Sequence, residues 1–308
     1  MLAWLNGQFI DLADARISAF DAGFQHGVGL FETMLARDGA VLGLEKHLAR
    51  LEESARTLRL TERLHVDALA DAVKLALERN QLTDARIRLT LSGGDLNLLR
   101  GSSGAGHASS DTAQKPAPRH DPTILIHIQP ITRYPEAFFE QGVTVTIADS
   151  RLNPLDPFQG HKTLNYWPRL SALQQAAAAG AAESLWFSVS NHLCGGSVSN
   201  IFLVKDGLLM TPIARGEEQE VGVGTGATIP SPVLPGVTRA MLLEAAEELG
   251  LQYIRRMLDY DDLREADEVF LTNSSWGVLP VVRVEQARIG QGDVGPVTKG
   301  LRQAWLDW

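Results

Sequence analysis

Apolar and polar positions alternate from Leu2 to Ile10 around Asn6-Gly7, a pair that favours a two-residue hairpin turn. A glycine-punctuated loop, Asp21 to Gly27, leads into Leu30-Phe31-Glu32-Thr33-Met34-Leu35-Ala36. That run predicts a strand turning at Asp38-Gly39 into Ala40-Val41-Leu42. Leu44, Leu48, Leu51, Ala55 and Leu58 recur at helical spacing and predict a helix with one apolar stripe. Arg50 lies beside that stripe, where its guanidinium can reach inward. A second amphipathic helix is expected over Val66 to Arg79, then strands at Arg86 to Leu91 and Thr123 to Gln129.

The pattern resumes with strands at Val143 to Ala148 and Ser184 to Val189, and a hairpin from Ile201 to Met210 about Asp206-Gly207. Helices are predicted over Tyr166 to Ala179 and over Thr238 to Leu249, the latter stopped by Gly250. Glu268 to Leu271 reads as a short strand and Val297 to Leu306 as a closing helix. The expected fold is α/β (α+β) in two domains: a small N-terminal domain at 1–131, a linker at 132–141 and a large C-terminal domain at 142–308. Residues 100–121 lack periodicity and read as a surface loop, and 216–231 as a second insert. Within the latter, Val221 to Gly226 looks like a phosphate loop, but no lysine follows and no strand precedes it.

Composition narrows the function classes. The 308 residues carry a formal net charge of −9, which argues against sequence-independent nucleic-acid binding. No apolar run approaches the ~20 residues of a membrane span, and Met1 to Gly7 shows no secretory signal. Cys194 is the one cysteine, so an internal disulfide is excluded and a reducing cytoplasm is the expectation. No metal-ligand spacing stands out.

The chemistry concentrates around Gly160-His161-Lys162-Thr163-Leu164-Asn165-Tyr166, where a proline-interrupted run meets a helix. Alone, Lys162 reads as a solvated charge. The chain also carries Gly195 to Asn200 as a small-residue turn, Pro235-Gly236-Val237-Thr238-Arg239 as a helix start, Thr272-Asn273-Ser274-Ser275 as a hydroxyl turn, and His47 with Arg50. An amine, an anion-binding helix start, hydroxyls and an arginine are what a phosphorylated aldehyde cofactor needs.

In order and spacing these pieces resemble the fold-type IV pyridoxal-phosphate enzymes: branched-chain and D-amino acid transaminases and aminodeoxychorismate lyase. The resemblance implies pyridoxal 5′-phosphate in the interdomain cleft, and Lys162 as its Schiff-base lysine and general base and acid. It further implies cofactor contacts from Arg50, Tyr166, Ser199, Asn200, Val237, Thr238 and Ser274, and a homodimer acting on a small amine or amino acid. Taken singly, Thr238 also reads as an ordinary helix cap and Tyr166 as a core tyrosine.

Two departures matter. The family glutamate that pairs with the pyridine nitrogen falls at Gly195, which leaves the ring a poorer electron sink. The lyase relatives' Ser-Arg-Gly is Ser92-Gly93-Gly94 here, leaving Arg88 or Arg100 to meet a substrate carboxylate. The run Phe270 to Val281 looks more like lyase sequences than transaminases. The expectation is therefore a 4-amino-4-deoxychorismate lyase giving 4-aminobenzoate and pyruvate, whose aromatising product supplies driving force. The alternatives are a D- or branched-chain amino acid transaminase, or a catalytically idle relative with a binding role.

Overall fold

The structure, a computed structural model, describes residues 1–61, 64–95, 122–219 and 229–308. Its first half contains, in order, β1 (Leu2–Leu5), β2 (Gln8–Asp11), α1 (Ala22–His26), β3 (Gly29–Arg37), β4 (Ala40–Val41), α2 (Leu44–Thr57), α3 (Val66–Asn80), β5 (Ala85–Ser92) and β6 (Thr123–Pro130). The six strands form one sheet in the order β2-β1-β6-β5-β3-β4. Asn6 and Gly7 both take positive φ, so the first turn has the twist that a two-residue hairpin needs. The predicted α2 stripe is the buried one: Leu44, Leu48, Leu51 and Ala55 pack with Leu69, Val73 and Ala76 of α3 on the sheet.

β3 serves two environments by alternation. Leu30, Met34 and Ala36 enter the core of this half, whereas Phe31 and Thr33 face a cleft and Leu35 joins a core of the second half.

The second half follows as α4 (Ala137–Glu140), β7 (Val143–Leu152), α5 (Trp167–Ala178), β8 (Glu183–Ser188), β9 (Leu193–Gly196), β10 (Asn200–Lys205), β11 (Leu208–Thr211), α6 (Val237–Glu248), β12 (Tyr253–Arg255), α7 (Tyr260–Glu265), β13 (Glu268–Asn273), β14 (Gly277–Val284), β15 (Ala287–Arg288) and α8 (Pro296–Leu306). Among the described residues these strands form a nine-stranded sheet ordered β12-β11-β10-β13-β14-β7-β8-β9, with β15 on β14. One face packs α6 and α8 through Phe202, Phe270, Leu242 and Trp305. The 100–121 insert, Arg100 and Val221 to Gly226 lie outside the described residues.

β14 was not predicted, because Pro280 interrupts its run. Pro280 sits opposite Phe270 in an antiparallel pair, in the interior of the sheet.

Candidate active site

The peptide carrying Lys162 is fixed by the other half of the chain. Phe31 N–H donates to the Lys162 carbonyl and Leu164 N–H to the Gly29 carbonyl, each at 2.9 Å, so the segment pairs with the start of β3. Lys162 Nζ lies 4.5 Å from the Phe31 ring centroid and 5.4 Å from that of Tyr166. Burial holds the amine below the ordinary lysine range; Arg50 and Arg88 add to this, against Tyr166 and Glu32. Burial pushes the Tyr166 phenol up, but Lys162 and Arg169 outweigh it and the net shift is downward.

Beside Lys162 lies a buried charge cluster. Glu32 Oε1 accepts from Arg50 Nε at 2.9 Å, and Oε2 from Arg50 Nη2 at 2.5 Å. His47 Nδ1 is 2.6 Å from the same Oε2. Burial opposes the Glu32 charge, yet Arg50 and His47 overcome it and bring its pKa down to about 2. Burial lowers the His47 pKa and outweighs Glu32, which raises it, so the net shift favours neutral imidazole. Arg50 Nη1 also donates to the Pro235 carbonyl at 2.9 Å, which ties α2 to the loop before α6.

That loop ends at Gly236, the N-cap of α6, which has no side-chain cap. The first helical amides, Val237 and Thr238, therefore have no intrahelical partner and form an anion-favouring end. Thr238 is buried and its hydroxyl lies 3.5 Å from that of Ser274. Ser274 Oγ is in turn 3.4 Å from His47 Nε2. Asn200 Nδ2 donates to the Leu234 carbonyl at 2.8 Å. A Cβ on Gly236 would stand 1.8 Å from Asn200 Oδ1, so only glycine lets this loop lie against β10.

The wall formed by the 195–199 turn has no acid aimed into the cleft. Gly195 has φ +134°, and a Cβ there would meet the Ser199 carbonyl oxygen at 2.7 Å. Beneath the turn lies Glu183, fully buried. Its oxygens accept from the amides of Ser184, Ser197 and Val198 and from the Ser199 hydroxyl at 2.9 to 3.1 Å. Arg169 of α5 reaches the same turn, donating from Nη1 to the Gly196 carbonyl at 3.1 Å and the Ser197 carbonyl at 3.5 Å. Cys194 is buried, and its thiol is pushed up to about 12.

One cleft of about 750 Å³ is lined by Arg50, Arg88, Lys162, Tyr166, Ser199, Asn200, Val237, Thr238 and Ser274 together. This volume lies in the range of small-molecule sites. Arg88 stands over the Phe31 ring at 3.4 Å, and burial takes it down to about 10. Arg86 lines the same cleft. Sequence reasoning missed Glu32, Glu183 and Arg169. A lone carboxylate amid Leu30-Phe31-Thr33-Met34 was the available signal for Glu32, and spacing of three from Tyr166 the signal for Arg169.

The residues fit a phosphorylated aldehyde: a half-buried amine of lowered basicity, an uncapped helix start with two hydroxyls, and an enclosing cleft. The class so defined is a pyridoxal-phosphate enzyme. The amino-transferase class IV family model matches residues 29–284, and the chain belongs to that family. A Methanocaldococcus jannaschii protein assigned as a branched-chain-amino-acid aminotransferase is 31% identical, with 100% of this chain and 96% of the relative covered. The Escherichia coli branched-chain amino acid aminotransferase structure superposes with TM-score 0.84 at 26% identity, over 99% of this chain and 93% of that one. The 4-amino-4-deoxychorismate lyase structure from Pseudomonas aeruginosa gives TM-score 0.77 at 30% identity, over 99% and 98%. The cofactor of this family is pyridoxal 5′-phosphate.

Proposed function

We propose that the chain is a 4-amino-4-deoxychorismate lyase, releasing pyruvate and 4-aminobenzoate. The carrying observation is the turn at Gly195, whose backbone φ of +134° and contact with Ser199 exclude an acid side chain in place. Pyridoxal phosphate, when bound, supplies the aldehyde that captures the substrate amine and a ring that takes up electrons from the amine-bearing carbon. A cleft whose described residues place no acid at the ring end favours a substrate that gains its own driving force by aromatising.

The chain's residues have these roles. Lys162 holds the aldehyde, then takes the proton from the amine-bearing carbon, a role suited to an amine whose basicity burial has lowered. Tyr166, beside it, orients the ring hydroxyl. Val237, Thr238 and Ser274 donate to the phosphate, with Arg50 completing the charge. Asn200 braces that end through Leu234, while Ser199, held by Glu183, belongs to the 195–199 turn. Arg88 meets a substrate carboxylate from the Phe31 side of the cleft.

A second reading, transamination of a branched-chain or D-amino acid, is favoured by the relatives and by Arg86 and Arg88 lining one cleft, which suits a dicarboxylate acceptor. The homodimer reading is supported by exposed Phe20, Phe24, Phe158 and Trp167 in segments flanking the Lys162 loop. Among the described residues no helix is long and apolar enough to cross a membrane.

The test is to give the cofactor-loaded protein 4-amino-4-deoxychorismate and, separately, leucine or D-alanine with 2-oxoglutarate, and to follow product in single turnovers. Aminobenzoate with pyruvate as the faster product is expected. Faster keto acid formation from an amino acid would transfer the assignment to the second reading.

A further inference from the structure

Among the described residues lining the cleft, Arg169 is a charged one to which neither reading above gives a task. It is half-buried and lines the cleft. One of its amino groups is anchored on the Gly196 and Ser197 carbonyls. Its guanidinium carbon lies 5.9 Å from the Tyr166 ring centroid and 5.5 Å from that of Trp186. Among the described residues no carboxylate pairs with it, and Nε and Nη2 have donors to spare.

We infer that Arg169 faces the ring nitrogen of the bound cofactor and holds that nitrogen unprotonated, as a hydrogen-bond acceptor. The inference rests on the cofactor pose proposed above and adds to it the electronic state of the ring. The pyridine nitrogen lies opposite the carbon bearing the aldehyde. With the aldehyde at Lys162 and the phosphate at the start of α6, the nitrogen would point away from Lys162, toward the part of the cleft lined by Gly196, Ser197 and Arg169. A guanidinium has only donors and keeps its charge at any working pH, so a nitrogen before it is stabilised as a neutral acceptor and destabilised as a cation.

The other groups around Arg169 do not reverse this. Glu183, from β8, is the nearby carboxylate, but it does not line the cleft. Both its oxygens are taken by four donors of its own strand and the turn. Cys194, from β9, has its thiol pushed up by burial and donates to the His192 carbonyl. Trp186 spends its N–H on the Ser197 hydroxyl at 2.9 Å. Lys162 lies at the opposite end of the ring in the proposed pose, and Tyr166 stands between it and Arg169, 5.4 Å from the amine and 5.9 Å from the guanidinium carbon. Loss of the acid at Gly195 and the presence of Arg169 therefore act in the same direction: one removes the partner of a pyridinium, the other supplies the partner of a pyridine.

The experiment is ¹⁵N NMR of the holoenzyme reconstituted with cofactor labelled at the ring nitrogen. It is run on wild type and on Arg169→Gln, Arg169→Lys and Arg169→Glu across neutral pH. A free-pyridine shift is expected in wild type and in Arg169→Lys, and movement toward the pyridinium position in Arg169→Gln and, fully, in Arg169→Glu. A pyridinium shift in wild type, which needs no variant to fold, overturns the inference. So does a shift identical in wild type and Arg169→Gln, since the glycine alone would then account for the neutral ring. Borohydride reduction run alongside tests the pose separately: label that fails to attach at Lys162 sinks the pose, whatever the nitrogen's state.

Discussion

Replacing Glu32 by glutamine tests how much of the site's order depends on one buried charge. The carboxylate accepts from Nε and Nη2 of Arg50 and from His47, with almost no exposure to water. Its drop from 4.5 to about 2 corresponds to about 3 kcal/mol of stability at neutral pH. The sign follows from the direction: a depressed folded-state pKa contributes fully above the unfolded value near 4.5 and is lost as pH falls toward about 2. At pH 3 the contribution should have shrunk to about half or less. Glu32→Gln cannot titrate, and it leaves the Arg50 guanidinium buried without its counter-charge. Urea unfolding of both proteins at pH 7 should therefore separate them by about 3 kcal/mol or more, and the gap should narrow steadily in acid. Equal stabilities at pH 7, or a gap unchanged at pH 3, would refute the reasoning and reduce the cluster to neutral packing.

Three further outcomes are expected. Lys162→Ala should abolish the borohydride-reducible adduct and all turnover while leaving the circular dichroism spectrum unchanged, because the substitution removes a half-buried amine and little core; a retained adduct would displace Lys162 from its role. Arg50→Ala and Thr238→Ala should each weaken cofactor retention, measured by dialysis and absorbance, by roughly one to two decades, since a charged hydrogen bond is worth ~1.5–3 kcal/mol. Equal retention would confine both residues to shaping the loop before α6. Gly195→Glu, which the sequence alone recommends as the way to restore the acid, should instead lower thermal stability by at least about 1 kcal/mol and bring no gain in transamination. The cause is the positive φ and the Ser199 oxygen at 2.7 Å. A stable, faster-transaminating variant would show that the turn can relax.

The elements and the cleft were legible in the sequence because they rest on local signals. Asn6-Gly7, the α2 stripe and the start of α6 are each read within a few residues. Lys162, Thr238 and Ser274 could be grouped because motif order stood in for distance, and the fold brings the three to one cleft. The residues missed are those whose meaning is wholly tertiary. Glu32 looks like an interruption of a strand until α2 brings His47 and Arg50 against it. Arg169 looks like any helix charge until the end of β9 and the turn after it place two carbonyls beside it. Pro280 hid β14, because a strand interior is a poor place for a residue without an N–H. The acid missing at Gly195 was visible by resemblance, but the strained turn behind it was visible only in three dimensions.

The alternation along β3 also bears on how this chain can change length. Phe31 and Thr33 face the cleft while Glu32 and Met34 face the opposite way, and the peptide of Phe31 anchors that of Lys162. Inserting or deleting a single residue within 29–37 would exchange the two faces. It would turn the carboxylate toward the amine, the aromatic ring into the charge cluster, and the lysine's anchor to the wrong peptide. The neighbouring Asp38-Gly39 turn lies outside the two faces: a side chain on Gly39 would meet open space, and the turn is held by the Asp38 and Gly39 amides on Asp84 and Thr83. A library of random insertions should therefore show a sharp boundary between residues 37 and 38, with active clones beyond it and none within the strand.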